Sequence, residues 1–307
     1  MKAAAVQILE LFKESAQGWS RDNASLLAAA ITYYTIFALA PLLVIAVAVA
    51  GAVFNDAEVR DRVLAEVNSE FGAEMEEVVL NLITNASKSR ASRFATVVSA
   101  IVLVVASSSL FAHLQRALNM VWGIRPHPKA GILNTIRKRA LAFGMVLVLG
   151  LLLLLSLAIS FIITAVGDRL AFWLPGIGVL LPQINFLASL VILTGLFAIL
   201  FKVLPDAHVT WRDVLLGAAV TTLLFMLGRS LIGLYLKYGS ATSTYGAAGS
   251  LGVLLLWVYY SAQIFLFGAE FTRAYANKYG SPIQPTRNAV WRLAPPRPFN
   301  TEADETS

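Results

Sequence analysis

Six apolar stretches, at about residues 25–53, 94–116, 140–166, 184–203, 213–236 and 248–272, constrain this chain more than any other feature. Each is long enough to cross about 30 Å of hydrocarbon at about 1.5 Å per helical residue. Lipid offers no water to backbone N–H and C=O groups, so such a segment folds as a helix that satisfies its own backbone. The predicted fold class is an all-α integral membrane protein with about six transmembrane helices. Composition agrees, because 14% of the 307 residues are charged where a soluble domain has roughly a quarter. The chain has no cysteine, which excludes disulfides, thiolate metal sites and cysteine nucleophiles together.

The segments between the spans divide the chain. Residues 1–24 read as an amphipathic helix on the membrane face, with Val6, Leu9, Phe12, Ala16 and Trp19 at three- and four-residue spacing and Lys2, Glu10, Lys13, Glu14 and Gln17 elsewhere on the wheel. The apolar run that follows is too long for a signal peptide and is preceded by Glu10, Glu14 and Asp22, so it is expected to stay as the first span. Pro41 is expected to kink it. Residues 56–93 form a polar insert in which Val59, Val63, Val67, Phe71, Met75, Val78 and Leu82 recur about every fourth position. Two amphipathic helices broken near Gly72 fit that pattern. Trp173, Pro175, Gly176, Gly178 and Pro182 suggest a tight hairpin before the fourth span. The expected units are thus 1–24, a six-span domain over 25–279, and a proline-rich, disordered tail over 280–307.

Orientation follows from Lys and Arg. With the N-terminus inside, the inner segments hold sixteen: Lys2, Lys13, Arg21, six in the loop Arg116–Arg139, Lys202, Arg212, and five from Arg273 onward. The outer segments hold seven, and Arg229 lies within a span. That bias places both ends in the cytoplasm and the insert 56–93 outside.

Chemistry is sparse. His113, His127 and His208 fall in three separate places, none beside an acid at ligand spacing, and no phosphate-binding glycine loop or hydrolase elbow is present. Neither catalysis nor a cofactor or metal is expected. Polar groups inside the spans say more, since a charge in hydrocarbon costs several kcal/mol. Arg229 lies about 16 residues into the fifth span, roughly 24 Å from its inner start, and reads either as a ligand-facing cation or as a side chain snorkelling to outer headgroups. Arg116 and Glu270 close the second and sixth spans at similar depth, where a structural pair is expected, with Asn119 nearby. The small and hydroxyl segment Gly239–Ser250, containing Ser240, Thr242, Ser243, Thr244 and Tyr245, joins the fifth and sixth spans. It reads either as an ordinary outer turn or as irregular backbone lining a cavity. With Arg229 it forms the candidate substrate-lining set, suited to an anion such as a lipid headgroup.

Several motifs in order carry a resemblance. Ala28-Ala29-Ala30-Ile31-Thr32-Tyr33-Tyr34 leading to Ala38-Leu39-Ala40-Pro41-Leu42, Arg116-Ala117-Leu118-Asn119 with Val121-Trp122, Leu204-Pro205 with Trp211-Arg212-Asp213, and Tyr245-Gly246 through Gly268-Ala269-Glu270 resemble the YihY/BrkB family over about residues 10–280. The resemblance implies a six-span bacterial inner-membrane protein, linked in some members to serum resistance and virulence and in others to envelope lipid handling. The leading expectation is a transporter or lipid-handling protein for an anionic substrate, with membrane lipids as partners. The competing expectation is a structural adaptor that docks a protein partner on the insert 56–93. A third reading, the tRNA-processing ribonuclease BN label once given to the family, is opposed by the sequence, since phosphodiester cleavage needs metal ligands or an acid and base. The positive-inside bias accounts for the basic loop, and no nucleic-acid partner is expected.

The orientation is directly testable. Alkaline phosphatase inserted within residues 56–93 is expected to be active, and a fluorescent protein fused after Ser307 to fluoresce. An inactive phosphatase with a dark C-terminal fusion would invert the topology.

Overall fold

The computed structural model describes residues 2–37, 109–127, 144–145, 177–238 and 247–292, with isolated positions between 61 and 84. In chain order, the elements are α1 (Lys2–Arg21), α2 (Ala24–Phe37), the helical residues 109–121 (α3), β1 (Ile124–Pro126), α4 (Ile177–Val203), β2 (Ala207–His208), α5 (Trp211–Tyr238), α6 (Ala247–Lys278), β3 (Gln284–Pro285) and β4 (Ala289–Trp291). The described residues are mostly helical and form no closed sheet. Among the described residues, three helices carry windows long and apolar enough to cross a membrane, at Phe186–Val203, Trp211–Ile232 and Gly252–Lys278. The expected spans at 25–53, 94–116 and 140–166 fall largely outside the described residues, as does Pro41.

Helices in lipid gain little by hiding apolar side chains from one another, so close packing and satisfied polar groups hold them together. The α5–α6 contact shows how. The helices run antiparallel, with Gly217 against Thr272 and Thr221 against Gly268, each partner four residues from the next on its own helix. A Cβ at Gly217 would overlap the Thr272 hydroxyl and lie 3.2 Å from its Cα, so only glycine permits this approach. The hydroxyls are satisfied within their own helices, Thr221 donating to the Gly217 carbonyl at 2.7 Å and Thr272 to that of Gly268 at 2.8 Å. Farther along, Gly228 receives the ring of Tyr260. On the other flank α4 meets α5 through a Thr194–Thr222 hydrogen bond of 3.1 Å and a run of rings, Phe197, Phe201, Phe225, Phe265 and Trp257, that joins all three helices. Leu223, Leu227, Leu231 and Leu234 of α5 are exposed and form its lipid-type face.

One end of the bundle is closed by a polar cap. β1 pairs antiparallel with β4, Ile124 opposite Trp291, and β2 pairs with β3, His208 opposite Gln284. Gly123, with φ of +68°, makes the turn from α3 into β1 in the left-handed region that favours glycine. Helix α1 joins the same end by packing Leu11 on Phe271 and Ala274 of α6. The starts of α2 and α5, the ends of α3, α4 and α6, and α1 itself all meet there.

Four expectations change. The tail from Gly280 is not disordered over 281–292: prolines bar a helix but allow short edge strands, and Ile283 and Ala289 bury their side chains as the backbone pairs. Of the residues expected in a hairpin, Gly178 and Pro182 are helical instead, since one bond lost at a proline costs less in lipid than a broken helix, while Trp173, Pro175 and Gly176 lie outside the described residues. Helices α3 and α6 overrun their expected ends at 116 and 272, because their extra turns pack on the cap. On α1 the buried stripe is Leu11, Ser15 and Gly18, while Val6 and Leu9 stay exposed, because close approach to α6 selects small residues over large ones. In the insert, Asn68 and Glu76 share a hydrogen bond. The expected break near Gly72 lies outside the described residues.

Substitution at the α5–α6 contact tests this account. Gly268→Ala is expected to cost about 1–3 kcal/mol through overpacking and to lower the apparent Tm in detergent. Gly252→Ala, where a Cβ meets nothing within 4 Å, is expected to melt like the parent. Equal melting of both variants and parent would sink the close-packing argument.

Candidate functional site

The cap is built around two acid-centred clusters. In the first, the Asp206 carboxylate accepts from Asn119 Nδ2 at 2.9 Å and from Gln115 Nε2 at 3.3 Å, while the Asp206 backbone N–H donates to Asn119 Oδ1 at 2.9 Å. The Asp206 carbonyl also takes the Thr286 N–H at 3.0 Å. This clamp joins α3, the α4–α5 turn and the C-terminal strands. Asn119 is buried, so its paired amide is what makes that burial tolerable.

In the second cluster Arg273 of α6 is central. Its Nη1 donates to the Val121 carbonyl at 2.6 Å and to Asp22 Oδ2 at 3.3 Å, and lies 3.8 Å from Glu270 Oε2. Val121 is at the C-terminal end of α3, where carbonyls lack helical partners and a cation is favoured. Asp22 lies in the turn between α1 and α2, which Asn23 completes with φ of 51°. Glu270 is 3% exposed. It faces Gly18 of α1, where a Cβ would come 2.6 Å from Glu270 Oε2, so α1 reaches it only because residue 18 is glycine. Trp122 completes the junction, its Nε1–H donating to the Ala269 carbonyl at 3.1 Å.

Arg116 and Glu270 therefore do not form the expected pair. Arg116 is exposed, bonds the Ala112 carbonyl at 3.1 Å and lies against His113, whose ring stacks on Tyr34 of α2. Glu270 instead takes Arg273, one turn along its own helix. The Glu270-x-x-Arg273 spacing was the signal available in the sequence, since residues three apart share a helical face. The Asn119–Asp206 clamp had no comparable signal, because 87 residues separate its partners.

At the outer edge of the cap Lys278 bonds Glu10 of α1 at 2.7 Å. That hydrogen bond and charge hold the Glu10 carboxyl below its ordinary value. A lowered value means the folded chain favours the ionised form, so the contact is complete at neutral pH. It is lost as pH falls through the lowered value.

The substrate-lining set is divided. Ser240, Thr242, Ser243, Thr244 and Tyr245 lie outside the described residues, and α6 begins at Ala247. Arg229 is described and half-buried. By the 3.6-residue period it continues the α5 stripe of Ala218 and Thr222, both fully buried, with Thr222 bonded to Thr194 of α4. The exposed leucines occupy another face. Among the described residues, no three His, Asp or Glu side chains converge as a metal site would require.

Removing the clamp acceptor gives a test. Asp206→Ala is expected to strand two amides at a cost of about 1–3 kcal/mol each, while Asp206→Asn keeps one acceptor and loses less. Thermal unfolding in detergent measures both, and an Asp206→Ala variant as stable as the parent would refute the clamp.

The family described as virulence factor BrkB matches residues 15–291. A UPF0761 membrane protein of Alteromonas mediterranea is 30% identical over 287 residues, covering 89% of this chain and 92% of that protein. One of Alcanivorax borkumensis is 30% identical over 278 residues, covering 89% of this chain and 60% of the relative. One of Tolumonas auensis is 29% identical over 274 residues, covering 84% and 83%. These names indicate a membrane protein. No solved structure matches the chain. Asn119, Trp122, Asp213, Gly268 and Glu270 join the helices at the cap and along α5–α6, the family model covers all of these contacts, and the chain belongs to the virulence factor BrkB family of membrane proteins.

Proposed function

We propose that this chain is a transporter or lipid-handling protein of the bacterial inner membrane, with both termini in the cytoplasm, and that its substrate is anionic. The observation that carries the reading is the position of Arg229, on the α4-facing stripe of α5 and away from its exposed leucines. A guanidinium held there faces the path of an anion passing along the α4–α5 side. A side chain snorkelling from lipid would share the face of Leu223, Leu227 and Leu231. The hydroxyls of Ser240, Thr242, Ser243, Thr244 and Tyr245 follow α5 directly in sequence and supply donors of the kind an anionic headgroup takes. The sixteen to seven excess of Lys and Arg on the expected inner side supports the orientation.

Mass spectrometry of lipids and small anions that remain bound through purification tests the proposal. The parent is expected to retain a particular anionic species, and Arg229→Leu to lose it by about tenfold, or about 1.4 kcal/mol. If both carry only bulk lipid in its ordinary proportions, Arg229 is a snorkelling residue. A non-transporting adaptor that docks a partner through 56–93 then replaces the transporter reading.

A further inference from the structure

The α4–α5 turn contains Lys202, Asp206, His208, Arg212 and Asp213, and the fold treats its two signs differently. Both acids are directed into the cap. Asp206 is held by Asn119 and Gln115. Asp213 is 2% exposed, accepting from the Thr210 hydroxyl at 2.6 Å and from the Ser281 N–H at 3.1 Å. The bases stay outside: His208 and Arg212 are exposed, and Lys202 is half-buried. The Lys202 ammonium donates to the Val209 carbonyl and lies 5.6 Å from the centre of the Trp211 ring. These contacts orient the cation without neutralising it, and its remaining hydrogens are available for an anion.

Beside this turn lies an open cavity of about 380 Å³, lined by Lys202, His208, Thr210, Trp211, Ser281 and Gln284 among others. No acid lines it. Its depth is set by the helices, because the apolar window of α4 ends at Val203 and that of α5 begins at Trp211. The cavity therefore stands where hydrocarbon gives way to headgroups, with the half-exposed Trp211 indole of the kind that marks such a boundary. Lys202 reaches it from the last turn of α4.

We infer that this cavity binds a phosphate group, supplied by a phospholipid headgroup of the leaflet at the cap end, with Lys202 providing the charge and His208, Ser281 and Gln284 the polar rim. The site is distinct from Arg229, which stands eighteen residues farther along α5, or about 27 Å. The two assignments therefore succeed or fail separately. Because β3 supplies Gln284 and the chain leading to it supplies Ser281, an occupied cavity also fastens the C-terminal strands to the α4–α5 turn.

Native mass spectrometry of the full chain in detergent, supplemented with phosphatidylglycerol or phosphatidylcholine, tests this. The parent is expected to keep phosphatidylglycerol several-fold over phosphatidylcholine, and Lys202→Gln to lose about fivefold of that retention, or about 1 kcal/mol. Lys202→Arg is expected to keep it, and Arg287→Gln, which removes an exposed charge outside the cavity, to behave as the parent. If Lys202→Gln fails to fold, the His208→Gln, Gln284→Leu pair carries the same expectation. Unchanged retention in the cavity variants, or an equal loss in Arg287→Gln, overturns the assignment. Titration with inorganic phosphate separates the sources. Displacement of the lipid at millimolar concentration shows that free phosphate fills the same site, and resistance shows that the glycerol and acyl parts add to the hold; both outcomes support a phosphate site.

Discussion

The approach of α5 to α6 is the contact on which the rest of the structure depends. Lipid tails are as apolar as leucine, so two helices crossing them gain little by burying leucines in each other and must bring their backbones close. Gly217 and Gly268 allow this, each receiving a threonine of the opposite helix whose hydroxyl is already bonded to its own backbone. The register they set carries Glu270, Arg273 and Ala269 of α6 to the level of Asp22, Val121 and Trp122. It also brings Gly280 against Asp213, so the chain leaves α6 beside the start of α5. The large leucines of α5, left outside, face the direction in which lipid lies.

The cap follows from that register and from the need to satisfy polar groups at the helix ends. Carbonyls at the end of α3 and amides at the start of α5 have no helical partner. Arg273 takes the first through Val121, and Thr210 with Asp213 takes the second. The acids of the α4–α5 turn are thereby committed to the fold while the neighbouring bases remain at the surface. This partition gives the cap end a positive face at headgroup depth without any excess of basic residues in the turn itself. It accords with the charge asymmetry of the whole chain and gives that asymmetry a local structural origin.

Each residue at these joints has a definable physical task. Asn119 and Trp122 are partners of Asp206 and of the α6 backbone, Gly268 is the seat of Thr221, and Glu270 is the buried acid against which Gly18 closes. These residues hold helices together. Arg229, on the α4-facing stripe of α5, and the hydroxyl-rich segment after α5 carry the functional proposal.

Composition averaged over about twenty residues is enough to specify helices of lipid length, and the sequence by itself determined that much: a mostly helical membrane protein, the approximate bounds of α4, α5 and α6, and the division of Lys and Arg between the segments that separate its apolar stretches. It also carried the amphipathic character of α1, although not the face that α1 buries. Tertiary structure alone decided which polar atoms meet. Arg116 and Glu270 lie at similar depth in the sequence reading, yet Glu270 takes Arg273 and Arg116 turns to the surface, because depth along a helix does not specify rotation about its axis. Asn119 finds Asp206 across 87 residues, and the proline-rich stretch after Gly280 forms strands because β1 and β2 offer unpaired backbone at the right height. Rotation and height are fixed by close packing between helices, and that packing depends on the shapes of residues far apart in the chain.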